Sequence, residues 1–156
     1  MFSLKNKTAV VTGGAKGIGK SIATVFARQG ADVYIIDREE KEAGETVREI
    51  TDDGGSARFY QADAVNQKNM TVLFNRIYDE KKRLNILINN AGISAISKLE
   101  NTTENDFDRI YSVNVKGVYN CSFAAIDKMK QSGGGVILNM ASIVSVYRFL
   151  SGTELD

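Results

Sequence analysis

Few backbone arrangements accommodate the run Thr12-Gly13-Gly14-Ala15-Lys16-Gly17-Ile18-Gly19 set directly behind Thr8-Ala9-Val10-Val11. The apolar, β-branched run predicts a strand buried on both faces, and the spacing from Ile18 to Gln29 predicts a helix. The glycines therefore occupy a strand-to-helix turn. Glycine permits positive φ and lets backbone amides approach an oxygen closely. The helix start at Gly17 to Gly19 offers unpaired N–H groups and the positive end of the helix dipole, so the turn suits a phosphate. A tight turn without a ligand is the alternative, because this glycine spacing departs from the familiar G-x-G-x-x-G.

The context narrows the choice. Asp32-Val33-Tyr34-Ile35-Ile36 predicts a second strand, and it ends in Asp37. That residue follows the glycines at close to the ~20-residue separation at which a βαβ unit presents a carboxylate to the ribose hydroxyls of an adenine dinucleotide. A carboxylate accepts from the 2′- and 3′-hydroxyls and repels a 2′-phosphate, which favours NAD over NADP. Lys16 and Arg38 pull the other way as potential partners of a 2′-phosphate, and each also has a plain reading as a solvated surface charge.

Composition removes several classes. The 156 residues are enough for one domain with a core, and 43% hydrophobic with 25% charged residues is ordinary for a soluble globular protein. A formal net charge of +1 provides no basic field, so nucleic acid is not an expected partner. Cys121 is the single cysteine and histidine is absent, which excludes a disulfide framework, a histidine- or cysteine-rich metal site and serine–histidine hydrolysis. Proton transfer would fall to Tyr, Lys, Asp or Glu. No run approaches the ~20 apolar residues of a membrane span, and Met1 to Lys7 has no apolar leader core, so a cytoplasmic protein is expected.

Along the chain, strands and helices alternate. The first helix carries Ile18, Ile22, Val25 and Phe26 on one face and stops at Gly30. A charged amphipathic helix from Glu39 to about Thr51 precedes the strand Ala57 to Gln61. Ala62-Asp63-Ala64-Val65 follows, then a helix capped by Asn66. Asp63, just past a strand end, could meet the adenine or simply form the turn. Asn85 to Asn89 predicts a fourth strand running into Asn90-Ala91-Gly92. Thr102 or Thr103 caps a long helix from near Glu104 to about Gln131, in which Phe107, Ile110, Tyr111, Val118, Ser122, Ala125 and Met129 follow helical spacing. Asn114 breaks that apolar pattern, as a satisfied core amide or as the site of a kink or held water. Gly133-Gly134-Gly135 leads into a fifth strand, Val136 to Met140, and then Ala141-Ser142. Five strands alternating with four helices predict a doubly wound, Rossmann-like α/β domain with a parallel sheet and a crevice at the strand carboxyl ends.

Taken together, the glycine turn from Thr12, Asp63, Asn89-Asn90-Ala91-Gly92, Asn114 and Ser142 resemble the short-chain dehydrogenase/reductase family, from about Leu4 to Ser145. The resemblance implies an oxidoreductase that passes hydride between a nicotinamide cofactor and an alcohol or ketone. It implies pyrophosphate at the glycine turn of Gly13, Gly17 and Gly19, the adenosine ribose at Asp37 and adenine at Asp63, with Lys16, Ile18, Arg38 and Ala64 as further candidate cofactor contacts. Asn90, Ala91 and Gly92 would line the cofactor. Asn114 would take part in a proton relay through water, and Ser142 would hydrogen-bond the substrate. No residue is expected to hold a metal. A homo-oligomer is expected, through the long helix or the fifth strand.

In that family a tyrosine about a dozen residues beyond the serine moves the proton, with a lysine four residues further on. Here Tyr147 stands too close to Ser142, and the residue four beyond it is Ser151. The expectation is a domain over residues 1–145 with an irregular end over 146–156, a chain truncated before the last strands and helices of the fold and inactive by itself. An NAD(H)-binding or protein-interaction module without turnover is the alternative.

Overall fold

The computed structural model describes residues 2–94 and 101–141. Ser142, Tyr147 and the 146–156 end lie outside the described residues, as does most of the loop after Ile93. The elements run β1 (Thr8–Thr12), α1 (Gly17–Arg28), β2 (Asp32–Asp37), α2 (Glu40–Asp52), β3 (Ser56–Gln61), α3 (Gln67–Lys81), β4 (Ile86–Asn89), α4 (Glu104–Tyr111), α5 (Gly117–Gln131) and β5 (Val136–Asn139). A π-helical turn, Ser112–Lys116, joins α4 to α5. All strand pairs are parallel, in the order β3-β2-β1-β4-β5.

The alternating period of the central strands divides the core between two layers. Ala9, Val11, Val33 and Ile35 pack with Ala23, Ala27, Ala43 and Ile50 of α1 and α2. Val10, Tyr34 and Leu87 face the other way, onto Met70 and Phe74 of α3 and Cys121 and Ala125 of α5. With both faces covered, every residue of β1 is buried. Because β1 changes neighbours between β2 and β4, the strand order reverses beside it. Thr12 stands in register with both Ile36 and Asn89, so the carboxyl ends of three strands meet where a doubly wound sheet places its ligand.

Two expectations are corrected in detail. The face of α1 that reaches the sheet is built from Gly19, Ala23 and Ala27, and small residues let the helix sit close. Ile18 and Val25 remain 64% and 45% exposed. The expected continuous helix from Glu104 to Gln131 is interrupted by the π-helical turn around Asn114. A π turn takes up an extra residue and rotates the helix that follows. The inward face of α5 is accordingly Gly117, Asn120, Cys121 and Ala124 together with the expected Ala125 and Met129, while the expected Val118 and Ser122 are only half-buried.

Candidate cofactor site

The glycine turn is held from three directions. Gly13 has φ of +65°, and its N–H donates to the Ile36 carbonyl at 2.8 Å. A side chain there would be strained, and its Cβ would meet the Ala91 Cα at 2.8 Å. Gly19 has no room for a Cβ at all, because that atom would drive into the Gly13 carbonyl oxygen. From β4, the Asn90 amide donates to the carbonyls of Thr12 at 3.2 Å and Gly13 at 2.9 Å. The Thr12 hydroxyl accepts from the N–H groups of Asn90 and Ala91, both at 3.1 Å. From α2, the buried Thr46 hydroxyl donates to the Ala15 carbonyl at 2.7 Å.

The third clamp comes from β2. Asp37 Oδ2 accepts from the Ala15 N–H at 3.0 Å, and Oδ1 accepts from Arg38 at 2.7 Å and Glu39 at 3.2 Å. One carboxylate thus joins the end of β2 to the glycine turn. The start of α1 carries no comparable acceptor. Its N-cap, Lys16, is extended and makes no side-chain cap hydrogen bond, and the first turn holds no acid. The first amides of that helix therefore have no side-chain acceptor at its N-cap, and the dipole's positive end there is where an anion gains most.

Beyond β3 the chain turns on Asp63. Its Oδ1 accepts from the Val65 N–H at 3.0 Å, and its Oδ2 pairs with Arg38 at 3.5 Å. The turn and ligand readings of Asp63 are therefore compatible, since one oxygen shapes the loop and the other is at the surface. Arg38 is already engaged by this carboxylate, and Lys16 is exposed. On the far side of the turn, Asn114 Oδ1 accepts from the Ile93 N–H at 2.9 Å, and its Nδ2 donates to the Ile93 carbonyl at 2.8 Å. The π-helical turn is thereby fastened to the loop that follows Asn90-Ala91-Gly92. Ser142, the other expected catalytic residue, lies outside the described residues.

Three contributors were not singled out as site residues in the sequence: the Thr12 hydroxyl, Thr46 and Asn120. Thr46 occurs on the inward row of α2 with Ala43 and Ile50, and Asn120 on that of α5. A polar residue on an apolar helix face is the signal that marks both. The strongly shifted titratable groups are elsewhere. Burial pushes the Cys121 thiol up to about 12, and burial followed by the Glu80 carboxylate raises Tyr34. No metal-binding cluster occurs among the described residues.

The comparisons with known proteins agree with the fold and give the family. Residues 7–153 match the short chain dehydrogenase family. The chain is 37% identical over 143 residues to a cyclopentanol dehydrogenase of Comamonas sp., covering 92% of this chain and 57% of that one. It is 38% identical over 152 residues to a 3alpha-hydroxysteroid dehydrogenase of Mediterraneibacter gnavus, covering 96% and 60%. A short-chain type dehydrogenase/reductase from Mycobacterium marinum superposes with a TM-score of 0.88 at 30% identity, covering 93% of this chain and 59% of the other. The chain thus spans less than two thirds of the length of these relatives.

Proposed function

The chain belongs to the short chain dehydrogenase family, and from that premise we propose that it forms the NAD-binding part of an oxidoreductase that moves hydride between nicotinamide and an alcohol or ketone. The observation that carries the reading is the Asp37 carboxylate tied to Ala15 beside an uncapped α1 start. The missing Cβ at Gly19 and the strain a side chain would meet at Gly13 make a cradle of bare backbone, and the donors there suit a pyrophosphate. Gly13, Gly17, Gly19, Lys16 and Ile18 would hold the phosphate and the adjoining ribose. Asp37 would accept from the adenosine ribose hydroxyls, with Arg38, Asp63 and Ala64 around the base. Asn90, Ala91 and Gly92 would form the inner wall.

The Arg38–Asp63 pair supports NAD over NADP, because the cation that would meet a 2′-phosphate is already partnered and Asp37 repels one. When bound, the dinucleotide supplies or accepts the hydride. Asn114 would keep the active-site loop in place through Ile93 and present its amide to a water relay, while Ser142 would orient the substrate oxygen. The chain has no Tyr-x-x-x-Lys beyond Ser142 within its 156 residues. Assayed as these 156 residues alone, the chain is expected to bind NAD, with any turnover slowed by a factor of about 10²–10⁴ where general acid–base catalysis is lacking.

The exposed row Phe107, Tyr111, Val115, Tyr119, Phe123 and Ile126 along α4 and α5 supports a homo-oligomer, and a lone buried thiol suits a reducing cytoplasm. Calorimetric titration of this chain with NAD and NADP, repeated on Asp37→Ala, tests the reading. NAD binding that exceeds NADP binding, with the preference lost in the variant, is the expected result. Binding of neither nucleotide overturns it.

A further inference from the structure

The loop between β3 and α3 is set from inside the molecule. Its first residue is tied to β2, with the Ala62 N–H donating to the Asp37 carbonyl at 2.9 Å. The N–H groups of Val65 and Asn66 turn back onto Asp63, to Oδ1 and to the main-chain carbonyl, each at 3.0 Å. That leaves the carbonyls of Ala64 and Val65, and a single side chain takes both. Asn120 Nδ2 donates to each at 2.9 Å.

Asn120 is 1% exposed on the inward face of α5. A buried amide spending both N–H groups on consecutive carbonyls ties both peptides, and rotating either would leave a buried donor unpaired. One turn earlier, Gly117 lets α5 approach, since a Cβ there would stand 3.3 Å from that of Ala64. The outcome is visible at the surface. Asp63, whose Oδ2 also pairs with Arg38 at 3.5 Å, lines an open cavity of about 500 Å³ with Val65, Asn66 and Gln67.

We propose that Asn120 is a positioning residue that fixes the Ala62–Asn66 loop so that the Asp63 carboxylate can read the amino group of an adenine. The inference rests on the NAD-binding reading above. A carboxylate oxygen accepts from an exocyclic amine and repels the carbonyl that hypoxanthine carries at the same place. Discrimination between the two bases therefore reports where Asp63 is held.

The test is titration of the chain, Asn120→Leu and Asn120→Ser with NAD and with nicotinamide hypoxanthine dinucleotide. The unaltered chain should favour NAD by about tenfold or more, as a charged hydrogen bond allows, and the ratio should collapse towards one in the variants. A role in folding alone would weaken both ligands equally, so an unchanged ratio in a folded variant overturns the proposal. Should neither variant fold, the Asn120 side-chain amide resonance of the unaltered chain decides. It should shift with adenosine monophosphate and stay still with nicotinamide mononucleotide, and the same response to both overturns the inference. If the unaltered chain binds neither dinucleotide, the NAD reading itself falls and this inference with it. NAD binding with an unchanged ratio removes only Asn120.

Discussion

The first turns of α1 and α4 are built oppositely. At α4 the Thr103 hydroxyl accepts from the Asp106 N–H at 3.1 Å, the Asp106 carboxylate accepts from Thr103 N at 3.2 Å, and Glu104 adds negative charge. That helix caps a first-turn amide with its own side chain and sets acids against its dipole. At α1 neither a cap nor an acid is present, and glycines clear the approach. Leaving donors unpaired at a helix end lowers stability, so α1 forgoes what α4 gains. The difference separates a helix start that serves the fold from one that, in the function proposed above, is kept open for an anion.

Four substitutions break or sharpen the contrast. Gly19→Ala should have the largest effect, because the new methyl enters the Gly13 carbonyl. Overpacking of about 1–3 kcal/mol in thermal unfolding and loss of NAD binding in calorimetry are expected. Asp37→Ala removes the acceptor of three main-chain N–H groups. NAD affinity should fall by about ten- to a hundredfold, as for a lost charged hydrogen bond, and the preference over NADP should vanish.

Lys16→Asp would make α1 resemble α4. An acceptor at the N-cap is worth about 1 kcal/mol, so the melting temperature should rise while NAD binding weakens. Thr103→Ala is the converse, costing about 1 kcal/mol in denaturant titration with NAD affinity unchanged.

A smaller effect calibrates the surface charges away from both helix starts. The Glu80 carboxyl is held below its ordinary value of 4.5, first by the Tyr60 hydroxyl and then by Tyr34 and Arg58, against the opposing effect of burial. A depressed folded-state value means a contribution fully present above pH 4.5 and lost as pH falls through the folded value. Glu80→Gln should flatten the acid limb of the stability profile by no more than about 1 kcal/mol, since the cluster is partly exposed. Association is a separate check. The row of exposed aromatics on α4 and α5, and β5 at the edge of the sheet among the described residues, should give a sedimentation coefficient that rises with concentration.

Much of this was legible along the chain. The buried run before Gly13, the acid ending β2, the Asn66 cap and Gly30 after α1 all follow from local periodicity and turn chemistry. Asp63 was ambiguous because a turn-forming aspartate and a ligand contact have the same local pattern. Asn120 was passed over because the expected helical phase ran through Val118 and Ser122, and the π turn at Asn114 shifts that phase.

Local residue types alone determined the βα alternation, the glycine turn and the carboxylate that answers it, because each depends on steric freedom or side-chain period over a few positions. Tertiary structure decided which distant groups hold that turn. Asn90, Thr46 and Asp37 converge on it from three elements, and Asn120 reaches the loop after β3 from a helix more than fifty residues further along. Those contacts exist only once the parallel sheet brings its strand ends together, and no spacing within a single segment encodes them.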